Sequence, residues 1–296
     1  MAITKISREA LTAEIDSKGA QLVSLKRDGA EYLWQRDPRW WAKTSPVLFP
    51  AVGAPRAAEQ ESVAGPCRVP KHGFARDYEH RLLSVADDGA SATFELADTP
   101  ETRAVYPFPF KLAMTYALTE DGALEQTFSV TNTGELPMPF SVGGHPAFNV
   151  PAPGAEGEAF EDYELLFEGR WTADSPKMVE GGLMSYADPF HVIVDTDVLP
   201  ITRDCFAYDT IVLRDVPGNV VTLKGVKSSH GVRVEFPGFD FVGIWSAQPD
   251  APFVAIEPWT GHAALDTEDA VMEHKDNITI LAPGATDVRS FTIKPF

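Results

Sequence analysis

Residues 111–134 read KLAMTYALTEDGALEQTFSVTNTG. Leu112, Met114, Tyr116 and Leu118 recur at every second position before Asp121-Gly122. Leu124, Phe128 and Val130 keep the same parity after it. Successive side chains of an extended chain point to opposite faces, so this period of two describes two strands with one face buried. Asp-Gly between such runs is the strongest short-range hairpin signal, because tight hairpin turns need positive φ. The stretch therefore predicts an antiparallel pair.

The same signature occurs twice more, in QLVSLKRDGAEYLWQ (residues 21–35) and HRLLSVADDGASATFEL (residues 80–96). Further strands are expected in DTIVLRD, NVVTLKGV, GVRVEFPG, FVGIWSA, FVAIEP and VRSFTIKPF. Helical periodicity is scarce, and the 24 prolines and 22 glycines are spread along the chain, as many short strands with frequent turns require. PAPGAEGE, Pro151 to Glu158, has β-type sequence on both sides and reads as a surface loop within one domain covering residues 1–296. The fold class expected is all-β.

Composition narrows the function. The chain carries 43 acidic against 25 basic residues, a formal net charge of −18. Such a surface repels nucleic acid and anionic membranes, and no basic stripe offsets it. Without a long apolar run, neither a membrane-spanning helix nor a signal peptide is expected. A cytoplasmic protein is the expectation. Cys67 and Cys205 lack metal-ligand spacing and read as free thiols in a reducing compartment.

Three segments could carry chemistry. In SVGGHPAFNVP, residues 141–151, two glycines precede His145 and a proline follows it. A turn histidine with glycines serving a bend is the simpler reading. Glycine permits unusual backbone angles and proline restricts the residue before it, which favours an imidazole placed for acid–base work, since its ordinary pKa lies close to neutrality. In VPKHGFARDYEH, residues 69–80, His72 and Arg76 share parity and could face one cleft, or form a solvated basic turn. His80 has that parity too, but no third ligand follows, so no metal site is expected. In FVAIEPWTG, residues 253–261, Glu257 ends an apolar strand. A carboxylate there must be paired, hydrogen-bonded or functional, unless it points to solvent. Trp259 could stack on the C–H face of a sugar. Arg56, after a Pro- and Gly-punctuated turn, and Asp209, before a strand, are weaker candidates. Of Trp40 and Trp41, at least one should be core.

Taken together, LFPAVG, KHGFAR, GGHPAF, FAYDTIVL and IEPW resemble, in order, the aldose 1-epimerase (mutarotase) family, in its LacX-like branch. LAPGATDVRSFTI resembles that family's last turn and strand. The resemblance implies a large antiparallel β-sandwich of the galactose mutarotase-like type, with a monosaccharide bound in a cleft across one sheet. It implies an isomerase that exchanges α and β anomers through the open-chain aldehyde, with no metal, nucleotide or redox cofactor. The acid histidine maps onto His145 and the base glutamate onto Glu257. A second histidine maps onto His72, and a sugar-binding arginine and aspartate onto Arg56 and Asp209, while Arg76 supports the cleft. Many relatives carry a basic residue immediately after Val-Gly, whereas Ala54 and Pro55 intervene here.

A free aldose is the expected substrate, because the cleft candidates offer only Arg56, Arg76 and Lys71 as cations in an acidic protein. A hexose-6-phosphate epimerase of the same fold would need a cationic cluster to hold phosphate. A non-catalytic sugar-binding protein would need neither His145 nor Glu257. A lyase or hydrolase would show paired carboxylates or a tyrosine base, and no such pattern stands out.

Overall fold

In the computed structural model, which describes residues 2–296, two antiparallel sheets share one core. The nine-stranded sheet runs, edge to edge, Leu183–Pro200, Tyr163–Val179, Val220–Gly225, Gly231–Glu235, Thr286–Pro295, Leu124–Asn132, Phe110–Leu118, Ser91–Ala97 and Arg81–Val85. The second sheet runs Ile211–Arg214, Phe241–Trp245, Phe253–Trp259, Gly143–Gly144 and Val47–Leu48, with Ala147–Asn149 also on Phe253–Trp259. A smaller sheet holds Ile3–Arg8, Leu11–Asp16, Gln21–Arg27 and Ala30–Glu31. The one α-helix among the described residues is the single turn Pro100–Arg103.

The hairpin over residues 111–134 forms as its alternation requires. Leu112, Met114, Tyr116, Leu118, Leu124, Phe128 and Val130 are all buried, and Met114 pairs with Phe128 in register. Burial of each such side chain contributes roughly 1.5–3 kcal/mol relative to exposure. Asp28-Gly29 is the tightest of the three turns, with φ of 51° and 83° at its two residues. The other two Asp-Gly pairs lie in longer loops.

Alternation finds no strand between residues 163 and 200, yet Tyr163–Val179 and Leu183–Pro200 form the longest hairpin of the molecule. Four register shifts break its period of two, and much of it faces solvent, as at Val194, 65% exposed. A hidden parity is what concealed it. None of the helices among the described residues is long and apolar enough to cross a membrane.

Candidate active site

Strand parity builds the site. Val254 and Ile256 of Phe253–Trp259 enter the core between the sheets, beside Val242 and Ile244 of the neighbouring strand. The opposite face therefore receives Phe253, Ala255, Glu257 and Trp259. Gly243 stands opposite Glu257 and Trp245 opposite Ala255, so Trp245 joins that face. The Trp259 indole lies over both flanking strands. A Cβ on Gly143 would come 2.6 Å from its Cδ1, and one on Gly243 2.4 Å from its Cη2. Only glycine leaves room for the ring at these two positions.

The glycines before His145 act by their size. Neither has a positive φ, contrary to the expectation of unusual backbone angles. Gly143 clears Trp259 on the cleft side, while a Cβ on Gly144 would meet the Phe291 ring of the nine-stranded sheet at 2.6 Å. His145 is thus carried on a segment pressed between the second sheet's outer face and the core. After it, the Pro146 carbonyl accepts from Ile256 N–H at 3.1 Å. Trp41 stacks on the imidazole with centroids 4.7 Å apart and an interplanar angle of 24°, and Trp245 meets it edge-on at 5.6 Å.

His145 Nε2 lies 3.3 Å from Glu257 Oε2. The contact is not aligned as a hydrogen bond, and neither that oxygen nor His145 Nδ1 has a hydrogen-bond partner among the described residues. Buried polar atoms left this way are costly unless function uses them. Burial drives the pair's proton in one direction. Desolvation, reinforced by the Arg76, Lys71 and Lys43 charges, pushes the His145 imidazole down to about 3. Desolvation and the Asp209 carboxylate push Glu257 well above the usual carboxylate range.

His72 sits in the left-handed region, φ 64°. Its backbone N–H donates to the Gly53 carbonyl at 2.9 Å, and Gly53 N–H donates back to its Nδ1 at 3.2 Å. An accepting Nδ1 leaves the proton on Nε2. Burial first, then His145 and the nearby cations, hold His72 well below its ordinary pKa, so it stays a neutral donor.

Six of the seven residues singled out in the sequence line one cavity of about 350 Å³: His72, Arg76, His145, Asp209, Glu257 and Trp259. That volume is near the lower end of small-molecule sites, about 300–1,000 Å³. Arg56 is the exception and a correction. Its Nε donates to the Glu268 carbonyl at 3.0 Å, and it lines an adjacent depression. Ala54 and Pro55 carry the chain past the cavity, and the hairpin turn at Gly182 packs against Ala54 between the two. Asp209, also at positive φ (73°), accepts a 3.0 Å hydrogen bond from Thr210.

Sequence reasoning missed Lys43, Trp245, Met178, Gly182 and Thr210 in the cavity wall. Trp245 was within reach: its parity follows once FVGIW is paired with FVAIEPW. Lys43 carries no motif, but lies two residues beyond Trp41. Neither Trp40 nor Trp41 is core, contrary to expectation: both are half-buried against one small cluster beside the site, and Trp40 donates from its indole to Asp250 at 2.7 Å. Lys43 takes the place of Arg56 among the cleft cations, beside Lys71 and Arg76.

An antiparallel β-sandwich with a histidine–glutamate pair in a sugar-sized cleft defines a class of carbohydrate-acting proteins. Residues 1–268 match the model of the aldose 1-epimerase family, and the chain belongs to that family. It is 34% identical over 296 residues to protein LacX of Lactococcus lactis subsp. lactis, covering 98% of each chain. A galactose mutarotase related enzyme from Lactobacillus acidophilus is 31% identical, with a TM-score of 0.92 over 100% of this chain and 97% of that one. A galactose mutarotase-like protein from Lactobacillus casei is 28% identical, with a TM-score of 0.86 over 100% of both chains.

Proposed function

We propose that this protein interconverts the α and β anomers of an aldose by acid–base catalysed ring opening and closure. The observation that carries the reading is the buried His145–Glu257 contact, two proton carriers 3.3 Å apart on the wall of one cavity. Glu257 takes the proton of the C1 hydroxyl while His145 gives one to the ring oxygen. The O1 electrons form the C1=O bond, and the C1–O5 electron pair goes to O5. After rotation about C1–C2, the same two groups return the protons and close the ring on either face. Each transfer contributes typically about 10²–10⁴-fold.

The pair must hold one proton in total. Burial raises Glu257 and lowers His145, which favours the proton on the carboxyl in the free protein, and the reactive arrangement is the tautomer with the proton on His145. A sugar whose O1–H donates to the carboxylate and whose O5 accepts from the imidazolium favours that tautomer. Nothing outside the pair needs to supply or remove a proton. His72 and Asp209 offer a donor and an acceptor to hydroxyls, and Trp259 a flat apolar face.

His145→Asn and Glu257→Gln test the reading. Each keeps the shape and removes a proton carrier, so kcat should fall at least about a hundredfold with KM little changed. The double variant should lose less than the product of the single effects, since both groups serve one transition state. Near-normal anomer exchange in either single variant contradicts the assignment.

A further inference from the structure

During ring opening His145 must aim Nε2 at the ring oxygen and bear a positive charge. Imidazoles that do this are usually oriented by a hydrogen bond on the other ring nitrogen. His145 Nδ1 is buried and has no such partner among the described residues. Desolvation and the Arg76, Lys71 and Lys43 charges oppose the imidazolium, and Glu257 faces it only at Nε2, 3.3 Å away. The groups against the ring itself are aromatic. Trp41 covers one of its planes, with centroids 4.7 Å apart and an interplanar angle of 24°, while Trp245 and His72 stand at 5.6 and 6.0 Å with angles of 89° and 66°.

Trp41 is itself held in place. It lies on the loop between Ala30–Glu31 and Val47–Leu48, where its backbone N–H donates to the Asp37 carbonyl at 3.0 Å and its carbonyl accepts from the Trp34 indole at 2.8 Å. Its ring lies against Phe253 at 5.8 Å and Trp245 at 5.5 Å. The same loop reaches the histidine's segment, where Ala147 N–H donates to the Thr44 carbonyl at 3.1 Å. One piece of chain thus sets indole and imidazole together, yet Trp41 is half-buried and outside the main core. We infer that Trp41 is a positioning residue for His145: its π-face fixes the plane of the imidazole and supports the imidazolium that protonates the ring oxygen. This rests on the anomer-exchange reading above. An indole face presents the negative part of its quadrupole, and a cation over it gains most where water is excluded. The neutral imidazole stacks as well in shape but draws little on that charge. The contact therefore favours the reactive tautomer over the resting one, and such a difference raises kcat.

Trp41→Leu should lower kcat for anomer exchange about tenfold with KM within about twofold of wild type, the scale of a desolvated cation–π contact. Trp41→Phe keeps an aromatic plane and should recover most of the loss. In a His145→Asn background Trp41→Leu should cost nothing further, because no imidazolium remains to support. Replacing tryptophan by fluorotryptophan throughout the unaltered sequence weakens the π-face at nearly constant shape. It should lower kcat about twofold, and leave Trp41→Phe at its own unlabelled rate. A loss confined to KM makes Trp41 a sugar platform, and an equal loss in both backgrounds makes it a wall of the cleft; either overturns the inference and leaves anomer exchange standing. If Trp41→Leu does not fold, the labelled protein decides, and an unchanged kcat overturns the inference. Exchange that survives His145→Asn overturns both readings.

Discussion

At His145 the surroundings work to remove the proton, and at Glu257 to retain one. Both directions widen the interval in which the pair holds a single proton. The second proton is added only as pH falls through the lowered His145 value, about 3. The last proton leaves only as pH rises through the raised Glu257 value. The profile of kcat/KM, which reports the free enzyme, should therefore be level through the ordinary histidine range, about pH 6–7. A fall centred near pH 6.5, the unperturbed value, would contradict this arrangement. His191 and His274 supply the control. They are exposed and paired with Asp174 and Asp269 at 2.5 and 2.9 Å, away from the cavity. His191→Asn and His274→Asn should leave kcat/KM at the wild-type level, and a loss comparable to that of His145→Asn would show that imidazoles matter here for another reason.

Among the elements, Phe253–Trp259 governs the site because one strand face serves the core and the other the cleft. Its dependence on glycine is measurable. Gly243→Ala places a methyl 2.4 Å from the Trp259 ring, so the indole must move or the strands must separate. Overpacking of this kind costs about 1–3 kcal/mol. Kinetics and thermal melts of Gly243→Ala should show both a raised KM and a lowered Tm. Unchanged values would mean that Trp259 is not held between its neighbours.

The same strand shows what was legible beforehand. Its apolar run and terminal Glu257 could be read directly, and GGHP drew attention to His145, which lines the cavity, but through the wrong property of glycine. Backbone freedom was inferred, whereas the space needed by Trp259 and Phe291 is what the structure reveals, and those rings are distant in sequence. The hairpin over residues 163–200 was legible only as β-type sequence after the loop, because its bulges break the period of two beyond Phe167. Lys43 was illegible because a lysine's place in a cleft depends on which loop faces it. Arg56 misled because two extra residues after Val-Gly redirect the chain, a matter of geometry that motif order does not encode.

For the whole molecule, the core cluster runs from Ile6 to Ile293, and the last strand, Thr286–Pro295, lies inside the nine-stranded sheet between Gly231–Glu235 and Leu124–Asn132. One domain over residues 1–296 is the proposal this supports. Tryptophan fluorescence and far-UV circular dichroism should then report a single coincident unfolding transition. Two separated transitions, or two proteolytic fragments each stable alone, would divide the chain. Beyond stability, the assembled molecule is claimed to do one thing: to pass a sugar's anomers through the open chain faster than water does. NMR magnetisation transfer between the α- and β-anomer C1–H resonances, with neutral and anionic aldoses, measures that step directly. Transfer should rise in proportion to wild-type protein and fall to near the buffer level with Glu257→Gln. Folded wild-type protein that leaves every aldose at the buffer rate would contradict it.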